Sequence, residues 1–207
     1  LLSKDGQLKG LITAKSIINY EKFPYSTKDM DGRYRVGAAV GIVKDYLERA
    51  KALVDAGVDA LVVDVAHCHN DIALRAVSEL RKKFKHIDLV GGNVATAKGT
   101  AELIERGVDA VKVGIGPGGL CTTRTVTGVG YPQFSAVMEC AKVGRKKGIP
   151  IIADGGTNFP GDITKAIAAG ASCVMLAGWF AGTDESPGSF ILRKGMKYKV
   201  HRGSASF

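Results

Sequence analysis

The chain has 207 residues, of which 45% are hydrophobic and 24% charged. That balance fits a soluble globular protein of one large domain, and the longest apolar runs fall short of the ~18 residues that suggest a membrane span. The formal net charge of +9 suits an anionic small molecule; without aromatic residues among the basic runs, neither nucleic acid nor a membrane is an expected partner.

In chain order, residues 1–21 open with a turn at Asp5-Gly6, a short apolar strand at Leu8–Ile12 and the start of a helix. Residues 22–35, KFPYSTKDMDGRYR, read as a polar linker. From residue 36 the pattern becomes strand then helix, six times. Strands are expected near 36–42, 60–65, 88–93, 109–114, 150–154 and 172–177. One helix is expected at 45–56 with Leu47, Ala50, Leu53 and Val54 on one face, and another at 71–84 with Ala73, Val77, Leu80 and Phe84 at helical spacing. Thr96 is a good N-cap for a third. Three stretches repeat one grammar: 54–65, 104–116 and 167–178 each end a helix at a glycine (Gly57, Gly107, Gly170) and then begin an apolar strand. The basic runs Arg81-Lys82-Lys83 and Arg145-Lys146-Lys147 sit late in helices, where a solvated cation suits the dipole. Residues 190–203 read as a hairpin turning at Lys194-Gly195.

Continuously apolar strands alternating with helices describe parallel β-α units. A doubly wound sheet would gather its polar positions at one switch point. Here Asp64, Asn93, Gly114–Gly116, Asp154-Gly155-Gly156 and Ala177-Gly178 fall at nearly every strand end. That is the active face of a (β/α)8 TIM barrel. Six units are visible, taken as the third to eighth, so two are expected upstream of Leu1. Residues 36–207 are the partial barrel, and residues 1–35 the tail of another module plus its linker.

The chemistry concentrates on the long loop after the fourth visible strand, which reaches from Gly114 to a helix near Gln133. Connections of that length in compact domains are usually functional. Its glycines can line a concave wall with amides for phosphate and carbonyls for a monovalent cation. Cys121 stands there with Thr122, Thr123 and Arg124 directly behind it. A cysteine nucleophile reacts as thiolate and needs such a polar setting. The other cysteines read differently. Cys140 and Cys173 lie in apolar segments and are expected to be buried. Cys68, between His67 and His69, invites a metal reading that adjacent loop residues alone rarely satisfy. No pair of cysteines has CxxC spacing, which suits a reducing, cytoplasmic setting over a disulfide framework. Asp154, at a strand end, can take both hydroxyls of a ribose. Ala177 and Gly178 occupy the last-strand position where barrels often hold phosphate. Glu185 follows within reach in sequence.

The segments GIGPGGLCTTR, GVGYPQ, IADGG and FAGTDESPG, in this order, resemble the inosine monophosphate dehydrogenase and guanosine monophosphate reductase family. LKGLITAKSI resembles the end of a CBS-type regulatory module, which implies residues 1–21 are such a tail. The resemblance implies that Cys121 attacks carbon 2 of a purine nucleoside monophosphate, with Thr123 assisting proton transfer. Glu185 would protonate departing ammonia in a reductase or contact the purine in a dehydrogenase. Asp154 would bind the ribose, and Gly119, Gly155, Gly156, Ala177, Gly178, Gly203 and Ser204 would line the phosphate and base site. Asp64, Asn93 and Gly114 would meet the nicotinamide cofactor, NADPH or NAD. The carbonyls of Gly116, Gly118 and Cys121 are potassium candidates, and the assembly implied is a homotetramer or octamer.

Three departures stand out. Gly119 replaces a serine, AHCHN replaces AHGHS, and RGSAS at 202–206 replaces an Arg-Gly-Met pattern. TGVGYPQFSAVMECA at 127–141 looks like reductases, whereas GNVATA and GTDESPG look like dehydrogenases. The reading leans to GMP reductase, with IMP dehydrogenase as the alternative. A non-catalytic nucleotide-binding barrel, or another phosphate-binding barrel enzyme, stays open beside them.

Overall fold

The computed structural model describes residues 1–203. The chain divides into two compact units, Leu1–Val36 and a second beginning at Gly37. In the first, helix α1 (Ala14–Lys22) is capped by Thr13, whose hydroxyl accepts from the Ser16 amide at 3.1 Å. The strand expected at Leu8–Ile12 does not form. Leu8 makes only an isolated bridge to Leu2, and Leu11 and Ile12 are exposed with no neighbouring strand to pair with. The polar stretch at 22–35 is not featureless: Lys28 bridges Tyr34 around a turn in which Asp29 accepts from the Arg33 amide and guanidinium.

The second unit contains the six expected β-α repeats. They are β1 (Gly37–Val40), α2 (Tyr46–Asp55), β2 (Ala60–Asp64), α3 (Asp71–Lys83), β3 (Asp88–Val94), α4 (Ala97–Glu105) and β4 (Ala110–Val113). After these come α5 (Thr123–Thr127), α6 (Gln133–Lys147), β5 (Ile151–Asp154), α7 (Pro160–Ala168), β6 (Cys173–Met175) and α8 (Gly178–Ala181). A hairpin of β7 (Phe190–Arg193) and β8 (Met196–Lys199) follows, turning at Lys194-Gly195 as the sequence suggests. The sheet order is β1-β2-β3-β4-β5-β6, every pair parallel. A doubly wound sheet must reverse its order at the switch point; this one never does, so the sheet is part of a (β/α)8 barrel.

Successive side chains along each strand alternate between the two faces of the sheet. Leu61, Val63, Leu89, Val111 and Val113 turn toward the helices and are buried. Against them pack Ala73, Val77 and Leu80 of α3, Leu103 of α4, and Val137 and Cys140 of α6. Each large aliphatic side chain so buried contributes about 1.5–3 kcal/mol. Asn70 and Thr96 start α3 and α4 by accepting from the amides of Ala73 and Gly99, at 3.0 and 3.1 Å. The glycines of the repeated grammar do end their helices with positive φ: 88° at Gly57, 86° at Gly107 and 107° at Gly170.

Two sequence expectations need correction. Cys173 is exposed rather than buried, because β6 ends the sheet order and pairs only with β5. Arg81 is not a solvated helix-end cation. Its guanidinium turns inward to the carbonyls of Gly107 (2.7 Å) and Ile87 (3.1 Å) and to Asp109, pinning α3 to the turn before β4. No helix among the described residues is long and apolar enough to cross a membrane.

Candidate functional site

The C-terminal strand ends converge on one face of the sheet. The register aligns Asp64 with Gly92 and Gly92 with Lys112, a row across three adjacent strands. The middle position has no side chain, and a Cβ there would lie 2.6 Å from the Lys112 Cβ. Across this gap the Lys112 ammonium reaches Asp64 Oδ1 at 3.4 Å; on its other side it reaches Asp154 Oδ2 at 2.5 Å. Lys112 is 1% exposed, so its charge exists in the interior only because two carboxylates face it. Sequence reasoning missed this residue. The signal was a single charge in an otherwise apolar strand, directly before the glycine-rich loop.

Asp154 Oδ2 also accepts from Asn93 Nδ2 at 3.0 Å, and the same amide donates to the Gly114 carbonyl at 2.8 Å. Asn93 sits where the β3–β4 register shifts between Gly92 and Val94, an irregularity that re-aims a side chain at a strand end. Its Oδ1 is buried and has no hydrogen-bond partner among the described residues. Thus Asp64, Asn93, Gly114 and Asp154, chosen from sequence, form one network centred on an unforeseen lysine. With Oδ2 held by two donors, Asp154 Oδ1 takes no hydrogen bond from the described residues and is available to a ligand.

The loop from β4 to α6 carries the nucleophile candidate. It contains the short helix α5, which the sequence reading left as loop. Cys121 precedes α5, and its thiol donates to the Thr123 hydroxyl at 3.3 Å. The Cys121 amide donates to the Gly118 carbonyl at 3.0 Å, folding the potassium-candidate segment into a tight turn. Gly118 in turn packs on the loop after β5: a Cβ on Gly155 would lie 3.1 Å from the Gly118 amide, and one on Gly156 3.3 Å from Pro117. The cysteine loop and the Asp154-Gly155-Gly156 loop are therefore in contact. Gln133, at the start of α6, fastens the two strand ends by donating to the carbonyls of Val113 (2.9 Å) and Asp154 (3.1 Å). A cleft of about 640 Å³ opens beside the loop, lined in part by Arg124, Tyr131, Gln133 and Asn158.

The remaining residues lie around this centre. Trp179 of α8 donates to the Thr157 carbonyl at 2.8 Å, linking the Ala177-Gly178 segment to the loop after β5. A Cβ on Gly178 would lie 3.8 Å from the His201 ring, in the irregular stretch after β8 that leads to Gly203. Gly119 faces open space. Glu185 is exposed on its own loop, and no described contact joins it to Cys121. Ser204 lies outside the described residues.

Two of the other thiols, Cys68 and Cys140, are buried. Burial pushes the Cys68 thiol up to about 11, partly offset by the Gly92 backbone and the Lys112 charge. Burial pushes Cys140 to about 11 as well. His69 pairs with Glu102 at 3.2 Å instead of joining Cys68, and no group of three or more metal-ligating side chains occurs among the described residues.

Residues 8–207 match the IMP dehydrogenase / GMP reductase domain. The chain is 54% identical over 206 residues to the inosine-5'-monophosphate dehydrogenase of Aquifex aeolicus, covering 100% of this chain and 42% of that one. It is 52% identical to the enzyme of that name from Nitrosopumilus maritimus, with 100% and 43% covered. Among solved structures, a cysteine-to-alanine variant of GMP reductase from Trypanosoma brucei, in complex with guanosine 5'-monophosphate, superimposes with a TM-score of 0.90 at 45% identity. That alignment covers 100% of this chain and 44% of the other. The chain thus spans less than half the length of these relatives. The barrel topology agrees with these matches, and the chain belongs to the IMP dehydrogenase / GMP reductase family.

Proposed function

We propose that the protein is a purine nucleotide oxidoreductase that works at carbon 2 of a nucleoside monophosphate through a covalent Cys121 adduct. The observation that carries this reading is the contact between the Cys121 loop and the Asp154 loop, with the Asp154 carboxylate held on one oxygen by Lys112 and Asn93. The free oxygen of Asp154 accepts from the ribose hydroxyls. Backbone amides of Gly156 and Gly178 hold the 5′-phosphate, with Gly119, Gly155, Ala177 and Gly203 lining the same site. The Cys121 sulfur adds to the purine, and Thr123, already hydrogen-bonded to it, takes part in proton transfer.

A nicotinamide cofactor supplies the hydride acceptor or donor. The residues present fit it: Asp64 offers a half-exposed carboxylate, and the orphaned Asn93 Oδ1 needs a donor that a carboxamide or hydroxyl provides. The carbonyls of Gly116, Gly118 and Cys121 would be the oxygen donors to a potassium ion, the Gly118 carbonyl being shared with the Cys121 amide. The CBS-type tail at residues 1–21, the linker at 22–35 and tetrameric assembly belong to the same proposal.

Of the two directions, the higher identity to dehydrogenases favours IMP oxidation. There a bound NAD would accept the hydride from carbon 2, and water would then displace the Cys121 thiol to give xanthosine monophosphate. The second reading, GMP reduction, is favoured by the reductase-like stretch at 127–141 and by the superposition on a GMP-bound reductase. There Glu185 protonates departing ammonia, a bound NADPH would supply the hydride to carbon 2, and the Cys121 thiolate would leave. Absorbance at the reduced-nicotinamide band, measured on the full-length protein, separates them. Gain with IMP and NAD supports the dehydrogenase, and loss with GMP and NADPH, with ammonia released, supports the reductase. No change with either pair, under conditions where nucleotide binds, defeats the catalytic reading.

A further inference from the structure

Lys199 lies on β8, far in sequence from the loop that carries Glu185, yet its ammonium is enclosed by that loop. It donates to the carbonyls of Thr183 (2.5 Å) and Ser186 (2.6 Å), and more weakly to the Ser186 hydroxyl (3.3 Å) and the Asp184 carbonyl (3.4 Å). The Phe190 ring, its cross-strand partner, covers it at 4.6 Å from the ring centroid. The Ser186 hydroxyl donates onward to the Ala181 carbonyl at 2.6 Å, and the Ser186 amide to Thr183 at 3.3 Å. The backbone from 181 to 186 is thus wound around one cation, as carbonyl loops wind around a bound monovalent ion. A lysine has three N–H donors and no acceptor, so these oxygens use its full capacity.

Glu185 sits inside this turn, between the gathered carbonyls of Asp184 and Ser186. Its own side chain is exposed and takes no hydrogen bond from the described residues, so the backbone turn is what fixes where its carboxylate starts. We propose that Lys199 is a positioning residue for Glu185, acting as a covalently tethered monovalent cation that gathers the 183–186 carbonyls. The inference rests on the second functional reading above, GMP reduction, in which Glu185 protonates departing ammonia. It adds a role for the β7–β8 hairpin, which keeps that cation in place from outside the barrel strands.

The test uses the full-length protein and the variants Lys199→Ala, Glu185→Gln and their combination. With Lys199→Ala, kcat is expected to fall about 100-fold, the low end of what a positioned acid or base contributes, while nucleotide KM moves less than about 3-fold. Methylammonium added to this variant should restore turnover and also restore amide-exchange protection at residues 183–186. In the Glu185→Gln background the lysine change should cost nothing further, since the residue it positions is gone. The proposal is overturned if Lys199→Ala keeps its kcat. It is also overturned if the loss is not recovered by methylammonium, or recurs in full in the Glu185→Gln background, since either means a general structural role. Normal turnover in Glu185→Gln alone defeats the role given to Glu185, and with it the proposal. Amide protection that responds to methylammonium would then survive as a purely structural finding, which distinguishes the two failures.

Discussion

Replacing Lys112 by methionine keeps the stem and removes the charge. In a fully buried pair, loss of one partner costs about 3–5 kcal/mol, because the other charge is left uncompensated. Asp154 is 25% exposed and keeps its bond from Asn93, and Asp64 is 51% exposed. Both carboxylates can therefore recover part of their hydration, which puts the expected cost at the lower end, about 3 kcal/mol. For a domain of this size that is a fall in melting temperature of about 6–12 °C. Nucleotide affinity should fall too. A freed Asp154 carboxylate no longer offers a fixed acceptor, and a hydrogen bond to a charged group is worth about 1.5–3 kcal/mol, or roughly 10- to 100-fold in Kd. Thermal unfolding and nucleotide titration of the full-length variant measure both. Adding Asp154→Asn separates the pair: with the carboxylate neutral, Lys112→Met should cost much less. A Lys112→Met protein that melts within about 1 °C of wild type and binds nucleotide unchanged would refute the reasoning.

Other expectations follow from the same geometry. Cys121→Ala should lower turnover by more than about 10⁴-fold while keeping nucleotide binding, whereas Cys140→Ala should leave kcat unchanged; steady-state kinetics with equilibrium titration checks both. Gly92→Ala drives a methyl group into the Lys112 stem and carbonyl and should destabilise by about 1–3 kcal/mol, read by urea unfolding. Cys68 and Cys140 ordinarily ionise near 9.0 and are pushed to about 11 by burial. The folded state therefore holds their protons more tightly, so this stability is complete below pH 9.0 and is lost as pH rises toward about 11. Cys68→Ala with Cys140→Ala should flatten that alkaline decline in a pH series of melting curves.

Much of this was legible in the sequence because the signals are local. The helix-ending glycines, the caps at Asn70 and Thr96 and the apolar strand runs each act within a few residues. The alternation they produce places every strand end on one face. What stayed hidden depends on neighbours across the sheet. Lys112 looks like one charge in a strand until Gly92 is known to lie beside it and Asp64 beyond. Cys173 looks buried until β6 is found at the end of the order. Leu8–Ile12 has the composition of a strand but no partner. Gln133 and Lys199 act over 20 and 16 residues of chain, and nothing in their own surroundings announces those partners.

The segment between Ile115 and Tyr131 has its ends tied together: the Tyr131 amide donates to the Ile115 carbonyl at 3.1 Å. Within it, the Arg124 stem is wedged between two glycines, so that a Cβ on either Gly116 or Gly130 would meet Arg124 Cγ at 2.5 Å. A stretch with joined ends and a filled middle is an Ω-loop. Such a body takes its shape from its own packing rather than from its flanks. The 3.3 Å register of the Cys121 thiol with the Thr123 hydroxyl is therefore set inside the loop.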